Sequence, residues 1–256
     1  MPNAYAHYRF ATAQLALLPP DARLTVKRFR RLYDVGAHGP DMFFFSLPGT
    51  GDYRAAERFH HQTGQEFFGR VCRRLRLEPN EAATAYLYGI LTHYALDSTC
   101  HPFVTATERA GTARHMEIEA EFDRFLYALD GRSTAAQRDM SAHMLLTRGE
   151  AETAAAFFPG RTSAQLSRDL RMMAQANRLI VMPEGFARRA AARLLGRFAD
   201  SLLIPYEPME KCVALDAPML ALYNEAFEKF PRLLARVQSA IARGTELGEL
   251  FIPDFG

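Results

Sequence analysis

The sequence predicts an all-α fold, and three observations predict it. Ala, Leu, Arg and Glu, all good helix formers, dominate the periodic stretches. Strand-like alternation of apolar and polar residues is scarce. Turn-forming clusters cut the chain into helix-length pieces. The pattern places helices near 4–18, 21–34, 52–76, 80–98, 112–129, 134–145, 162–180, 184–203 and 218–243.

Each limit has a local reason. Pro19-Pro20-Asp21 ends the first helix and starts the second. Gly36-Ala37-His38-Gly39-Pro40-Asp41 is a loop by composition. Pro79-Asn80-Glu81 suits a helix start, and Pro102 suits a helix end. Asp130-Gly131 and Pro159-Gly160 mark later turns. Residues 158–162 are the best boundary, but no long linker lies there. The expected organisation is one domain: a helical region over 1–160 and a helical C-terminal extension over 161–256 packed on it.

Composition narrows the function classes. The chain has 256 residues, 48% apolar and 23% charged, enough to bury a core without staples. Its 31 basic and 29 acidic residues nearly balance, which argues against a dedicated electrostatic binder of nucleic acid. Cys72, Cys100 and Cys212 are odd in number and widely spread, with no Cys-x-x-Cys pair, so a reducing compartment is the simpler reading. The first residues lack the basic stretch, apolar core and cleavage site of a signal peptide. No run approaches the roughly 20 apolar residues of a membrane span. A soluble cytoplasmic protein without a transmembrane segment is the expectation.

The stretch 82–96 (AATAYLYGILTHYAL) contains no Asp, Glu, Lys or Arg, so a helix there is buried on most faces. It nevertheless carries His93 and leads to Asp97. A buried carboxylate is unfavourable unless something pairs with it. His93 and Asp97 are four apart and share a helix face, as do His115 and Glu119 on the next helix. His101 lies four past Asp97. Imidazole and carboxylate are the nitrogen and oxygen ligands of zinc. One such pair alone is more often a surface ion pair. The sum is stronger, because His7, His60, His93, His101 and His115 can join Asp41, Asp97 and Glu119 in one constellation.

Five motifs carry a resemblance: AHYRF around His7, HGPDMFFF around Asp41, RFHHQ around His60, LTHYALDSTCHPF across His93, Asp97 and His101, and RHMEIEAEF across His115 and Glu119. In their order, and in the gap from His101 to His115, they resemble the bacterial zinc-dependent phospholipase C family. That family shares a helical superfamily with the single-strand-specific zinc nucleases. The motifs cover about the first half of the chain. The remainder resembles an uncharacterised, intracellular-looking branch through Pro205-Tyr206-Glu207-Pro208. The resemblance implies a multi-helix phospholipase C/nuclease-like domain holding up to three zinc ions. Asp41, His60, His93 and Asp97 would hold the first, and His101, His115 and Glu119 the second. Asp97 would bridge to a third, shared with His7 and with Pro2 or Met1 in place of the family's N-terminal Trp. His60 is preferred to His61 by its alignment relative to Glu66-Phe67-Phe68; spacing alone does not separate them.

The chemistry implied is metal-activated water attacking phosphorus, with Asp41 as ligand and general base. The substrate would be a phosphoester, phospholipid among the candidates. Peptidase chemistry is disfavoured, because no His-Glu-x-x-His is present. Two other classes stay open: a single-strand nuclease-like phosphodiesterase on the same scaffold, and a non-catalytic protein stabilised by zinc.

Neighbouring residues have plainer readings. His38 in the Gly-bearing loop is expected to be packed or solvated, and His61 and His143 to face solvent. Cys100 reads as a small buried thiol. Phe43, Phe44 and Phe45 read as core. Glu117 and Glu121 lie off the face of Glu119 and read as surface. The basic run Lys27-Arg28-Phe29-Arg30-Arg31 and the arginines 70, 73, 74 and 76 read as solvated helix faces.

Overall fold

The computed structural model describes residues 4–46, 53–132, 140–196 and 203–256. Among them every regular element is helical, and the one β contact is an isolated bridge between Thr63 and Asp254. The α-helices are α1 (Ala4–Gln14), α2 (Pro20–Arg28), α3 (Arg30–Gly36), α4 (Tyr53–His60), α5 (Gly64–Leu77), α6 (Glu81–Arg109), α7 (His115–Leu129), α8 (Arg148–Ala155), α9 (Ser163–Ile180), α10 (Phe186–Leu195) and α11 (Val213–Arg243). Short 3₁₀ turns cover Gly39–Phe45, Ser141–Met144 and Glu249–Phe251.

Local chemistry explains most limits. Thr63 caps α5 by accepting from the Glu66 N–H, and Glu66 accepts in return from the Thr63 N–H. That cap divides the expected 52–76 helix into α4 and α5. Phe29, at φ −118° and ψ 44°, likewise breaks the expected 21–34 helix. Asn80 starts α6 by accepting the Ala83 N–H at 2.9 Å. The helix then runs through Pro102 to Arg109, where a helix end was expected. An interior proline costs about 3 kcal/mol, but Val104 and Thr107 beyond it are buried. Burying a side chain such as Val returns about 1.5–3 kcal/mol. The α8 helix lies outside the helices that the periodicity places, although Thr147 and Glu150 form a capping box at its start. Of the expected 134–145 helix, the described part is only the turn Ser141–Met144, and residues 134–139 lie outside the described residues.

Helix α6 sits at the centre, with α1, α2, α3, α7 and α11 packed around it. Its uncharged stretch is buried as expected: Tyr86, Ile90, Leu91 and Tyr94 have no exposed surface. The approach of α3 depends on two glycines. A side-chain carbon at Gly36 would stand 2.6 Å from the Tyr86 carbonyl oxygen, and one at Gly89 would overlap the Tyr33 carbonyl. The two backbones therefore touch. This contact brings the loop after α3, with Asp41, down onto the His93 turn of α6. Helix α11 covers the other side of α6 and ends at Gly244, which takes the left-handed conformation at φ 72°. No helix among the described residues is long and apolar enough to cross a membrane.

Candidate metal centre

Five elements deliver the donors. Helix α6 presents His93, Asp97 and His101 along one stripe, and α7 presents His115 and Glu119. Asp41 comes from the 3₁₀ turn after α3, and His60 is the last residue of α4. Gly39, at φ +49°, lies so close to the His93 ring that any side chain there would overlap it. His7 comes from α1, and its ring stacks on His93 at 4.3 Å between centroids.

The side chains fall into two groups. Donor atoms of Asp41, His60, His93 and Asp97 all lie within 4.8 Å of one another, and so do those of His101, His115 and Glu119. In the first, His60 Nε2 is 2.9 Å from Asp41 Oδ1, and His93 Nε2 is 2.9 Å from Asp97 Oδ2. In the second, Glu119 Oε1 is 2.9 Å from His115 Nε2 and 3.4 Å from His101 Nε2. His7 Nε2 reaches Asp97 Oδ1 at 3.1 Å, and His101 Nε2 stands 3.9 Å from the same oxygen. Asp97 thus lies between the groups. Met1 and Pro2 lie outside the described residues.

The donors suit a divalent cation. Asp41 and Asp97 are buried, and among the described residues no Lys or Arg pairs with either. The His93 ring is fully buried, and neither nitrogen makes a hydrogen bond, although Nε2 faces a carboxylate. Leaving such an atom unpaired costs about 1–3 kcal/mol. His60 Nδ1 lies 2.8 Å from the Ala56 carbonyl oxygen and donates to it. In a neutral ring that leaves a lone pair on Nε2 facing Asp41, an arrangement that calls for a proton or a metal ion between them.

Electrostatics agree. Burial pushes the Asp97 carboxyl upward, but His93, His101 and His7 hold it well below the ordinary carboxylate range. Asp41 is lowered too, against burial, by His93 and His60. His115 is raised, chiefly by Glu119. The carboxylates are therefore charged at neutral pH and the cluster draws in positive charge.

The family described as zinc-dependent phospholipase C matches residues 6–158. The chain belongs to that family. The matched segment contains all eight side chains described above. No curated protein and no solved structure matches the chain. Membership makes zinc the expected occupant of a zinc-dependent phospholipase C family site, and buried His and acidic groups able to hold metal are present.

Several neighbours differ from their sequence reading. Glu117 and Glu121 are buried, not solvated: Lys211 Nζ lies 2.9 Å from Glu117, and the Met209 N–H donates to Glu121. His143 is partly covered: it stacks on Tyr8 and meets His38 with Nε2 atoms 3.1 Å apart. His38 is fully buried, the packed alternative of its sequence reading. Cys100 is a buried free thiol and Phe43 is core, as expected, whereas Phe44 and Phe45 are only half-buried at the edge of the core.

Asp123 was missed. It accepts the backbone N–H groups of Tyr5 at 3.1 Å and Ala6 at 2.9 Å, anchoring the first turn of α1 and so the helix that carries His7. Burial pushes its carboxyl up to about 7. A signal was available: Asp123 lies four past Glu119, on the same stripe of α7.

Proposed function

We propose that this chain is a phosphoester hydrolase of phospholipase C type. One observation carries the reading: two donor groups able to hold metal lie side by side, linked through His93, Asp97 and His101 of α6, inside the segment that matches the zinc-dependent phospholipase C family. In the proposal, Asp41, His60, His93 and Asp97 hold one zinc ion, and His101, His115 and Glu119 a second. His7 with Asp97 forms part of a third site. Zinc there supplies polarisation of a phosphoryl group and acidification of water.

The remaining work falls to the chain's own groups. Asp41, ionised and supported by His60, orients the attacking water and accepts its proton. The Ala56 carbonyl fixes the His60 ring, so that Nε2 always faces the site. The buried setting strengthens each charge contact by lowering the local dielectric. His115, the most exposed donor at 28% of its side chain, marks the side from which a phosphoester approaches.

A second reading, a non-catalytic protein stabilised by zinc, draws on a different observation. The recess lined by His7, Asp97, His101 and Glu119 is small, about 20 Å³. Structural zinc sites are closed, whereas catalytic ones keep an open position.

One experiment separates them. Zinc-loaded protein is assayed on a soluble chromogenic phosphodiester, on phospholipid vesicles and on single-stranded DNA. Asp41→Asn, with its zinc content measured, serves as the control. Turnover that falls at least about 100-fold in the variant supports catalysis. Loss of the lipid activity but digestion of DNA supports the nuclease form. If zinc binds and no phosphoester turns over, the enzymatic reading is wrong.

A further inference from the structure

The segment 249–256 lies far outside the family-matched residues, yet it is sewn into the metal centre. Its path is fixed at several points. Tyr94 donates its hydroxyl to the carbonyls of Leu250 at 3.1 Å and Pro253 at 3.0 Å. The Gly64 N–H donates to the Pro253 carbonyl at 2.9 Å. Phe251 stacks on Tyr94 with centroids 5.6 Å apart. These contacts tie the segment to α6 and to the start of α5.

Its last two residues then reach three donors. The Phe255 N–H donates to the His60 carbonyl at 2.9 Å. The Phe255 ring is 1% exposed, and its centroid lies 6.2 Å from that of His93. Gly256 sits directly against Nδ1 of His101, where any side chain would collide with the imidazole. That Nδ1 is buried and makes no hydrogen bond, while Nε2 of the same ring faces Glu119 and Asp97. The segment thus backs His60 and His93 in one donor group and His101 in the other.

We infer that Phe255 and Gly256 are positioning residues for the metal centre, holding His60, His93 and His101 from behind. The inference rests on reading the site as a metal centre. Its physical basis is ordinary. A ligating imidazole binds well only when its ring is held, and loss of such support weakens metal affinity about 10–100-fold. The arrangement is a packed brace, because Phe255 is as buried as the core residues Phe67 and Phe68 that it touches.

Two readouts test it. The first is metal affinity, measured by titrating metal-free protein with zinc against a competing chelator. Gly256→Ala pushes a methyl group into the His101 ring. It is expected to weaken the metal equivalent held by His101, His115 and Glu119 at least about 10-fold and to leave the other unchanged. Phe255→Ala removes the buried ring that anchors the end of the segment, and with it the seat of Gly256 on His101, so it is expected to weaken both equivalents, and Phe255→Leu to restore most of the loss. The second readout needs no metal. Diethyl pyrocarbonate labelling, mapped by mass spectrometry on metal-free protein, is expected to spare His101 in the parent chain and to modify it in Phe255→Ala. Exposed His61 serves as the internal standard. Thermal melting of each variant checks that the fold survives.

Unchanged zinc affinity in Gly256→Ala, with His101 equally protected in Phe255→Ala, overturns the brace. So does higher turnover in the variants at unchanged affinity, which would make the segment a cover. If the parent chain binds no zinc, the metal-centre reading fails, and the labelling still decides whether the segment holds His101.

Discussion

Asp97 Oδ1 lies 3.1 Å from His7 Nε2, so one carboxylate on α6 ties α1 to the centre. The same side chain faces His93 at 2.9 Å and His101 at 3.9 Å. Asp97→Asn keeps the size and removes the charge that three imidazoles share. The expected outcome is loss of at least one zinc equivalent per chain, with affinity for the rest falling at least about 10-fold. Elemental analysis of protein purified without chelator measures it. Full zinc content in the variant would rule out a bridging role.

Metal removal should destabilise the whole bundle, because the donors come from α1, α4, α6, α7 and the turn at Asp41. A ligand bound only by the folded state stabilises it by about 4 kcal/mol at 1,000 times its dissociation constant. Chelator is therefore expected to lower the melting temperature by several degrees and added zinc to restore it. Equal melting of both forms would show that the centre contributes nothing to folding.

Asp123 anchors α1 through two backbone N–H groups. Asp123→Ala leaves both buried donors without an acceptor, a loss of about 1–3 kcal/mol. Urea unfolding reads the loss. Hydrogen exchange should show faster exchange at the Tyr5 and Ala6 amides, and unchanged protection there would contradict the anchoring.

The Asp216 carboxyl is pushed up to about 6, first by burial and then by the charge of Glu121, against the pull of Arg124. A carboxyl raised on folding favours the folded state in its protonated form. Its contribution is complete below the unfolded value of about 4 and is lost as pH rises through about 6. Asp216→Asn cannot ionise and escapes that loss. The variant should therefore gain on the parent between pH 5 and pH 8, by roughly 1–2 kcal/mol. Parallel stability curves over that range would contradict the raised value.

What the sequence made legible follows from short-range periodicity. His93, Asp97 and His101 could be assigned to one stripe because a helix repeats every 3.6 residues, and the uncharged run 82–96 announced its own burial. Pro102 misled, because tertiary packing of Val104 and Thr107 outweighs a local breaker. Glu117 and Glu121 misled for the same reason. They lie off the ligand face of α7, but Met209 and Lys211 come back over that side. Contacts between distant parts of the chain, such as Phe255 with His93, leave no trace in local spacing.

The position of the two donor groups along α6 has a mechanical meaning. Four residues of α-helix rise about 6 Å and nearly complete a turn. His93, Asp97 and His101 are spaced by that step, so the helix acts as a ruler whose graduations set how far apart the groups lie. Loops elsewhere can lengthen or shorten without changing this distance. One residue inserted between Asp97 and His101 would turn His101 by about 100° and carry it away from Glu119.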